Sequence, residues 1–261
     1  MIDEGLKAEI GRLLADSLRL AWCESDKRFI RIDSTISGMS PLSWLSLQSM
    51  DTQHYWKSRD HEFEVASIGR SYEIKAVDLD ACFDEIQDIL AVSSKSACFY
   101  GGVAFDQEVK QDSDWGPFKS FRFWVPRIEL RTKSASCTLS VYIDREESDN
   151  LDQQLEKLEG YLSQIQWEAE KNMTPSQNGL SPRCLPNTEE WESLVQEVKT
   201  RMKETPLKKV VLARSVTVQN DMSALDLLSK LQNTGDPRYY FYFKFKEGIV
   251  SLAIHPNYYL R

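Results

Sequence analysis

The stretch Lys209-Val210-Val211-Leu212-Ala213-Arg214 decides how this chain is read. It is a β-branched run with a lysine at its start, which predicts a strand over 208–217. Side chains alternate on a strand, so Lys209, Val211 and Ala213 share one face, while Lys208 and Arg214 take the other. A lysine among apolar strand neighbours loses hydration. Desolvation lowers its pKa, and an amine that is neutral at working pH is a general base. The same residues also fit a strand-end lysine whose ammonium snorkels to water. Arg214 reads as structural.

Working outward, a capped helix over 188–203 precedes the lysine run. Asn187 or Thr188 caps it, Glu189 and Glu190 suit its first turn, and Trp191, Leu194, Val195, Val198 and Met202 make its buried face. Upstream, Pro175, Asn178-Gly179, Pro182 and Pro186 mark a linker over 172–187. Before it, Leu151, Leu155, Leu158, Leu162 and Ile165 fall on one face of a helix over 151–167. Two further helices are predicted: 4–22, with Leu6, Ile10, Leu13, Leu14 and Leu18 on one stripe, and 78–91, with Leu79, Phe83, Ile86 and Leu90. Strands are predicted at 63–68, 97–105, 120–130 and 136–143. A helix near 223–233 and strands near 238–246 and 249–254 complete the reading. A short helix or loop opens at Ser40-Pro41, ahead of Tyr55-Trp56. The expected fold is α+β, strand-rich sheets covered by helices. The expected division is a subdomain over 1–171, the linker, and a second part over 188–261.

Composition narrows the function. The 261 residues are 41% hydrophobic and 28% charged, an ordinary globular balance. A net charge of −8 with no basic stripe disfavours nucleic acid and anionic membranes as partners. No apolar run approaches the ~20 residues of a membrane span. The acidic start Met1-Ile2-Asp3-Glu4 lacks a signal pattern, so a cytoplasmic location is expected. Cys23, Cys82, Cys98, Cys137 and Cys184 show no C-x-x-C spacing and read as reduced thiols. His54, His61 and His255 form no metal motif. Gly101-Gly102 reads as a backbone requirement rather than a phosphate cradle. Asp144, Glu146, Glu147 and Asp149 read as a solvated turn, and Tyr239 to Phe243 as buried strand.

Five segments then carry a resemblance. They are Leu42-Ser43-Trp44-Leu45 with His54-Tyr55-Trp56-Lys57-Ser58-Arg59; Tyr100-Gly101-Gly102-Val103-Ala104-Phe105-Asp106; Val125-Pro126-Arg127-Ile128-Glu129-Leu130; the helix from Trp191; and the lysine run. In order and spacing they resemble the chorismate-utilising enzymes, and within them the isochorismate synthases of menaquinone biosynthesis. The resemblance covers nearly the whole chain.

It implies a Mg²⁺-dependent isomerase with chorismate as substrate. Water adds at one ring carbon while the hydroxyl on another leaves. Lys209 takes the position of the base that activates water. The family's acid, the glutamate of a Ser-Pro-Glu motif, falls on Asn257 of His255-Pro256-Asn257. An amide has no proton to give near neutral pH. His255 could donate one, but it lies two residues away. The family domain continues past Arg261 with a glycine-rich loop, the Mg²⁺ glutamates and a carboxylate-binding Arg and Tyr, none of which can be placed in this chain. The expectation is therefore a family fold lacking its C-terminal portion and inactive alone. Strands 208–217 and 238–254 would lose pairing partners, and Phe241, Phe243 and Leu252 would lose cover. The alternatives are a non-catalytic binding or scaffold protein derived from such an enzyme, and one half of a split enzyme completed by a separate C-terminal half. Asn257 speaks against the split enzyme.

Overall fold

The structure is a computed structural model, and it describes residues 4–24, 26–36, 38–93, 97–104, 116–134, 136–148, 150–168, 182–218, 222–233, 237–246 and 249–256. In chain order the elements are α1 (Glu4–Glu24), β1 (Phe29–Ile36), α2 (Pro41–Leu45), β2 (Gln53–Lys57), β3 (Phe63–Glu73), α3 (Leu79–Ala91), β4 (Tyr100–Val103), β5 (Phe121–Lys133) and β6 (Ser136–Asp144). They continue with α4 (Leu151–Ser163), β7 (Arg183–Leu185), α5 (Thr188–Glu204), β8 (Ser215–Thr217), α6 (Ala224–Gln232), β9 (Arg238–Lys246) and β10 (Ile249–Pro256). The chain forms two units. One comprises Met1–Lys171 with Ala224–Arg261, the other Asn172–Ser223.

The first unit is built on an antiparallel sheet in the order β1-β6-β5-β3-β2-β9-β10, with β4 added to β5. Register sorts the side chains. Ile32 pairs with Val141, Val141 with Ile128, and Ile128 with Ile68, so one face carries an aliphatic row across four strands. Leu130, Leu139, Ala66 and Tyr55 extend it, and Ile10, Leu14 and Leu18 of α1 and Leu158 of α4 cover it. The spacing of those three α1 residues makes the stripe expected for an amphipathic helix. A smaller cluster of Phe29, Ile74, Val125 and Tyr142 packs with Cys82 and Ile89 of α3. Asp78 caps α3 by accepting from the Ala81 N–H at 2.8 Å, and Asn150 caps α4 through the Asp152 N–H at 2.8 Å.

The second unit holds α5 and the two-stranded β7–β8 pair. Asn187 and Glu190 close a capping box on α5, with bonds of 2.8 and 3.0 Å.

The structure departs from expectation in several places. Only Ser215–Thr217 of the predicted strand 208–217 is strand, and residues 207–214 form no regular element. β-propensity expresses packing on neighbouring strands, and Val211 is 81% exposed. The apolar stripe of α5 is half-buried, and no residue of that helix is fully buried. On α3 the buried residues are Cys82 and Ile89, while Phe83 and Leu90 are exposed. The hairpin 238–256, expected with 188–237, joins the first unit because β9 pairs with β2 from Gln53↔Lys244 to Lys57↔Tyr240. β9 therefore has a partner on each side, β2 and β10. β7 forms inside the expected linker, and β1 and β2 were not anticipated. No helix among the described residues is long and apolar enough to cross a membrane.

Leu14 is fully buried and Leu20, on the same helix, is 60% exposed. Leu14→Ala should cost about 2–5 kcal/mol in urea unfolding. Leu20→Ala should stay within about 0.5 kcal/mol. Equal losses would mean that α1 does not face the sheet as described.

Candidate functional site

Lys209 lies in the second unit, between α5 and β8, with an exposed side chain like its neighbour Lys208. The apolar residues meant to share its face, Val211 and Ala213, are exposed too. The 249–257 segment belongs to the other unit. There His255 sits in β10 opposite Tyr239, and Asn257 lies outside the described residues. Gly101 meets the backbone reading. An added Cβ would stand 2.0 Å from the Arg122 carbonyl oxygen, whereas at Gly102 nothing lies within 4 Å.

The densest chemistry of the first unit is on the sheet face opposite the aliphatic row. Glu129 on β5 pairs with Ser67 on β3, which in turn pairs with His54 on β2. Ser140 flanks Glu129 from β6. All four are buried. Glu129 Oε2 accepts from the Tyr100 hydroxyl at 2.5 Å and the Tyr142 hydroxyl at 3.3 Å. The Cys98 thiol donates to the same oxygen at 3.6 Å and lies 3.0 Å from the Tyr142 hydroxyl. Arg131 Nη2 stands 2.7 Å from Oε1, and Arg31 Nη2 stands 3.9 Å away.

These contacts set the protonation states. Burial, reinforced by the Glu129 charge, pushes the Tyr100 and Tyr142 phenols up, so both stay donors. Burial disfavours the Arg131 charge, but Glu129 outweighs it and the guanidinium pKa ends above its ordinary value. Burial and Glu129 also raise the Cys98 thiol, which makes it a poor nucleophile. His54 stacks on Tyr100 at 4.2 Å and meets the Phe243 ring at 5.0 Å; burial lowers its pKa to about 3, so it is neutral.

Chemically this is a carboxylate held by phenols and a guanidinium, and it serves to hold strands together. Glu129, Tyr100 and His54 fell inside quoted motifs without being given a role. The signal available was a glutamate between two aliphatic residues, Ile128 and Leu130, in a predicted strand. The helical layer offers a groove of about 370 Å³ between α1 and α4, lined by Gly11, Arg12, Ala15, Leu155 and Leu162. It carries no base–acid pair beyond its arginines and Glu159.

The family described as "Chorismate binding enzyme" matches residues 17–257. This chain belongs to the chorismate-binding enzyme family. It is 28% identical over 204 residues to isochorismate synthase 2, chloroplastic, of Arabidopsis thaliana, covering 70% of this chain and 35% of that protein. The solved structure of MenF, the menaquinone-specific isochorismate synthase from Escherichia coli, matches with a TM-score of 0.68 at 19% identity. The match covers 94% of this chain and 55% of that one. The chain thus spans about a third of the plant relative and about half of the bacterial one. The α+β reading and the family resemblance both hold.

Two outcomes follow from the buried centre. Glu129→Ala leaves Arg131 without its counter-charge and should cost about 3–5 kcal/mol. Urea unfolding checks this, and a loss below about 1 kcal/mol would mean the ion pair contributes little.

His54 carries a pH signature. Its pKa falls from 6.5 to about 3 on folding, so between those values the unfolded chain binds a proton that the folded chain does not. Its contribution is intact above pH 6.5 and is lost as pH falls toward 3, at up to ~1.4 kcal/mol per pH unit. Compared with the parent, His54→Phe should flatten the stability loss across this window. Parallel pH profiles would mean His54 is not buried as neutral imidazole.

Proposed function

We propose that the chain is of isochorismate synthase lineage. Lys209 holds the position of the base that activates water against chorismate, and Asn257 holds the position that protonates the departing hydroxyl. The supporting observation is that the family match runs through both positions and includes the Lys-Val-Val-Leu-Ala-Arg run. The chemistry would be acid–base work on opposite sides of a ring, with a proton taken from water on one side and given to a hydroxyl on the other.

The 261-residue chain by itself does not carry this out. Asn257 has no proton to donate. Lys209 is exposed, without the apolar enclosure that would make it a neutral base. The resemblance also implies Mg²⁺, whose role would be to clamp the substrate carboxylate. The described residues do not fit such a site, since no group of three His, Cys, Asp or Glu side chains comes together among them. The five free cysteines suit a reducing compartment such as the cytoplasm.

One half of a split enzyme is the second reading. The half-exposed stripe of α5 and the exposed Val210, Val211 and Val216 favour it, because apolar strand and helix surfaces of this kind need cover. Asn257 favours a non-catalytic derivative instead.

The test is an isochorismate assay on the purified chain with chorismate and Mg²⁺, with Lys209→Ala as the blank. No product above the blank is expected, nor from Asn257→Glu alone. Adding a polypeptide that carries the C-terminal half of a family relative should give activity only with Asn257→Glu, since a positioned acid is worth about 10²–10⁴ in rate. Mg²⁺-dependent product from the unmodified chain would overturn the proposal.

A further inference from the structure

Charge is out of balance at one corner of the main sheet. Glu73, the last residue of β3, meets three cations. Arg122, near the start of β5, donates to it twice, from Nε to Oε1 at 2.8 Å and from Nη2 to Oε2 at 3.2 Å. Lys119 Nζ stands 3.5 Å from Oε1, and Arg70 pairs with Oε2. Burial alone would raise the Glu73 carboxyl, but Arg122, Arg70 and Lys119 outweigh it and hold the pKa below its ordinary value, so Glu73 is ionised. These four side chains therefore carry an excess of two positive charges, in a chain whose net charge is −8.

The corner is built around Arg122. Its guanidinium lies 4.2 Å over the Phe245 ring, and that ring meets Phe118 at 5.2 Å and Trp124 at 5.0 Å. The Arg122 side chain is only 14% exposed, so its charge is partly stripped of water. Lys119 holds a φ of 59°, a left-handed conformation that is uncommon for lysine and recurs at ligand clamps. Directly opposite Arg122, and on the same face, is Gly102 of β4. Nothing lies within 4 Å of a Cβ added there, and no left-handed φ calls for glycine. No β4 side chain covers Arg122 from that flank. A glycine inside a strand marks a place where a ligand can approach closely.

The excess charge selects the ligand. Like charges held together repel, so the ligand that relieves them is negative. Two charges match the excess, and oxygen atoms suit guanidinium and ammonium donors at once. A monovalent anion would leave half of the excess in place. We infer that Arg70, Lys119 and Arg122 form a binding site for a small dianionic oxyanion, a phosphate group or a dicarboxylate, reached over Gly102. The inference does not rest on the isochorismate reading, since neither Lys209 nor Asn257 takes part.

Isothermal titration calorimetry of the whole chain tests it, with inorganic phosphate and malonate as separate probes and chloride at matched ionic strength as the control. At least one probe should bind saturably, one to one, and chloride should not. The tighter probe identifies the anionic group. Arg70→Gln combined with Lys119→Gln removes the excess and leaves Arg122 balanced by Glu73. It should weaken binding by about tenfold or more, the worth of two partly exposed ion pairs. Gly102→Glu places a carboxylate opposite Arg122 and should compete the ligand away, with the circular dichroism of the parent retained. Absence of saturable binding, equal binding of chloride, or unchanged affinity in either variant would overturn the inference.

Discussion

The pairing of β5 with β3 on one side and β6 on the other carries the rest of the first unit. It sets Ile128, Ile68 and Val141 in one row and Glu129, Ser67 and Ser140 in the next. Because strand side chains alternate, a slip of one residue would send Glu129 into the aliphatic core and Ile128 into the polar centre. The register is therefore specified from both faces. Burial of the aliphatic row against α1 and α4 drives folding. The carboxylate on the other side permits few alternatives.

That polar face explains how a glutamate can sit fully buried in β5. A lone buried carboxylate is costly, and here two phenols, a thiol and a guanidinium surround it. The arrangement holds β4, β5 and β6 together through side chains as well as through backbone ladders. Tyr55 and Glu64 do similar work on the other side: the phenol donates to Glu64 at 2.9 Å and accepts from Gln232 of α6 at 2.8 Å, tying the 224–256 segment to β2 and β3.

Much of this was legible in the sequence. The helices at α1, α3, α4, α5 and α6 follow from apolar spacing and caps, and β3, β5, β6, β9 and β10 from β-branched and aromatic content. β1 was missed although Ile30, Ile32 and Ile36 alternate with polar residues, the pattern of a strand with one buried face. β2 has only five residues, too few for a period to show. The lysine run failed for a different reason. Its composition is that of a strand, but strand formation depends on a neighbour that local pattern cannot supply, and no described strand lies beside Lys209 to Arg214. The same dependence separates the two site residues. The role of Lys209 rests on enclosure by other elements, and its surroundings in this structure are open. Glu129 is enclosed by its own strand neighbours, which the pairing supplies.

The most direct measurement is the acylation rate of Lys209 under limiting reagent, read by mass spectrometry against Lys208 and Lys203, which are also exposed. If the base position is uncovered in this chain, Lys209 is labelled as fast as the other two, and chorismate with Mg²⁺ does not slow it. Selective protection of Lys209 by chorismate would contradict that, and would mean the chain assembles a substrate site on its own.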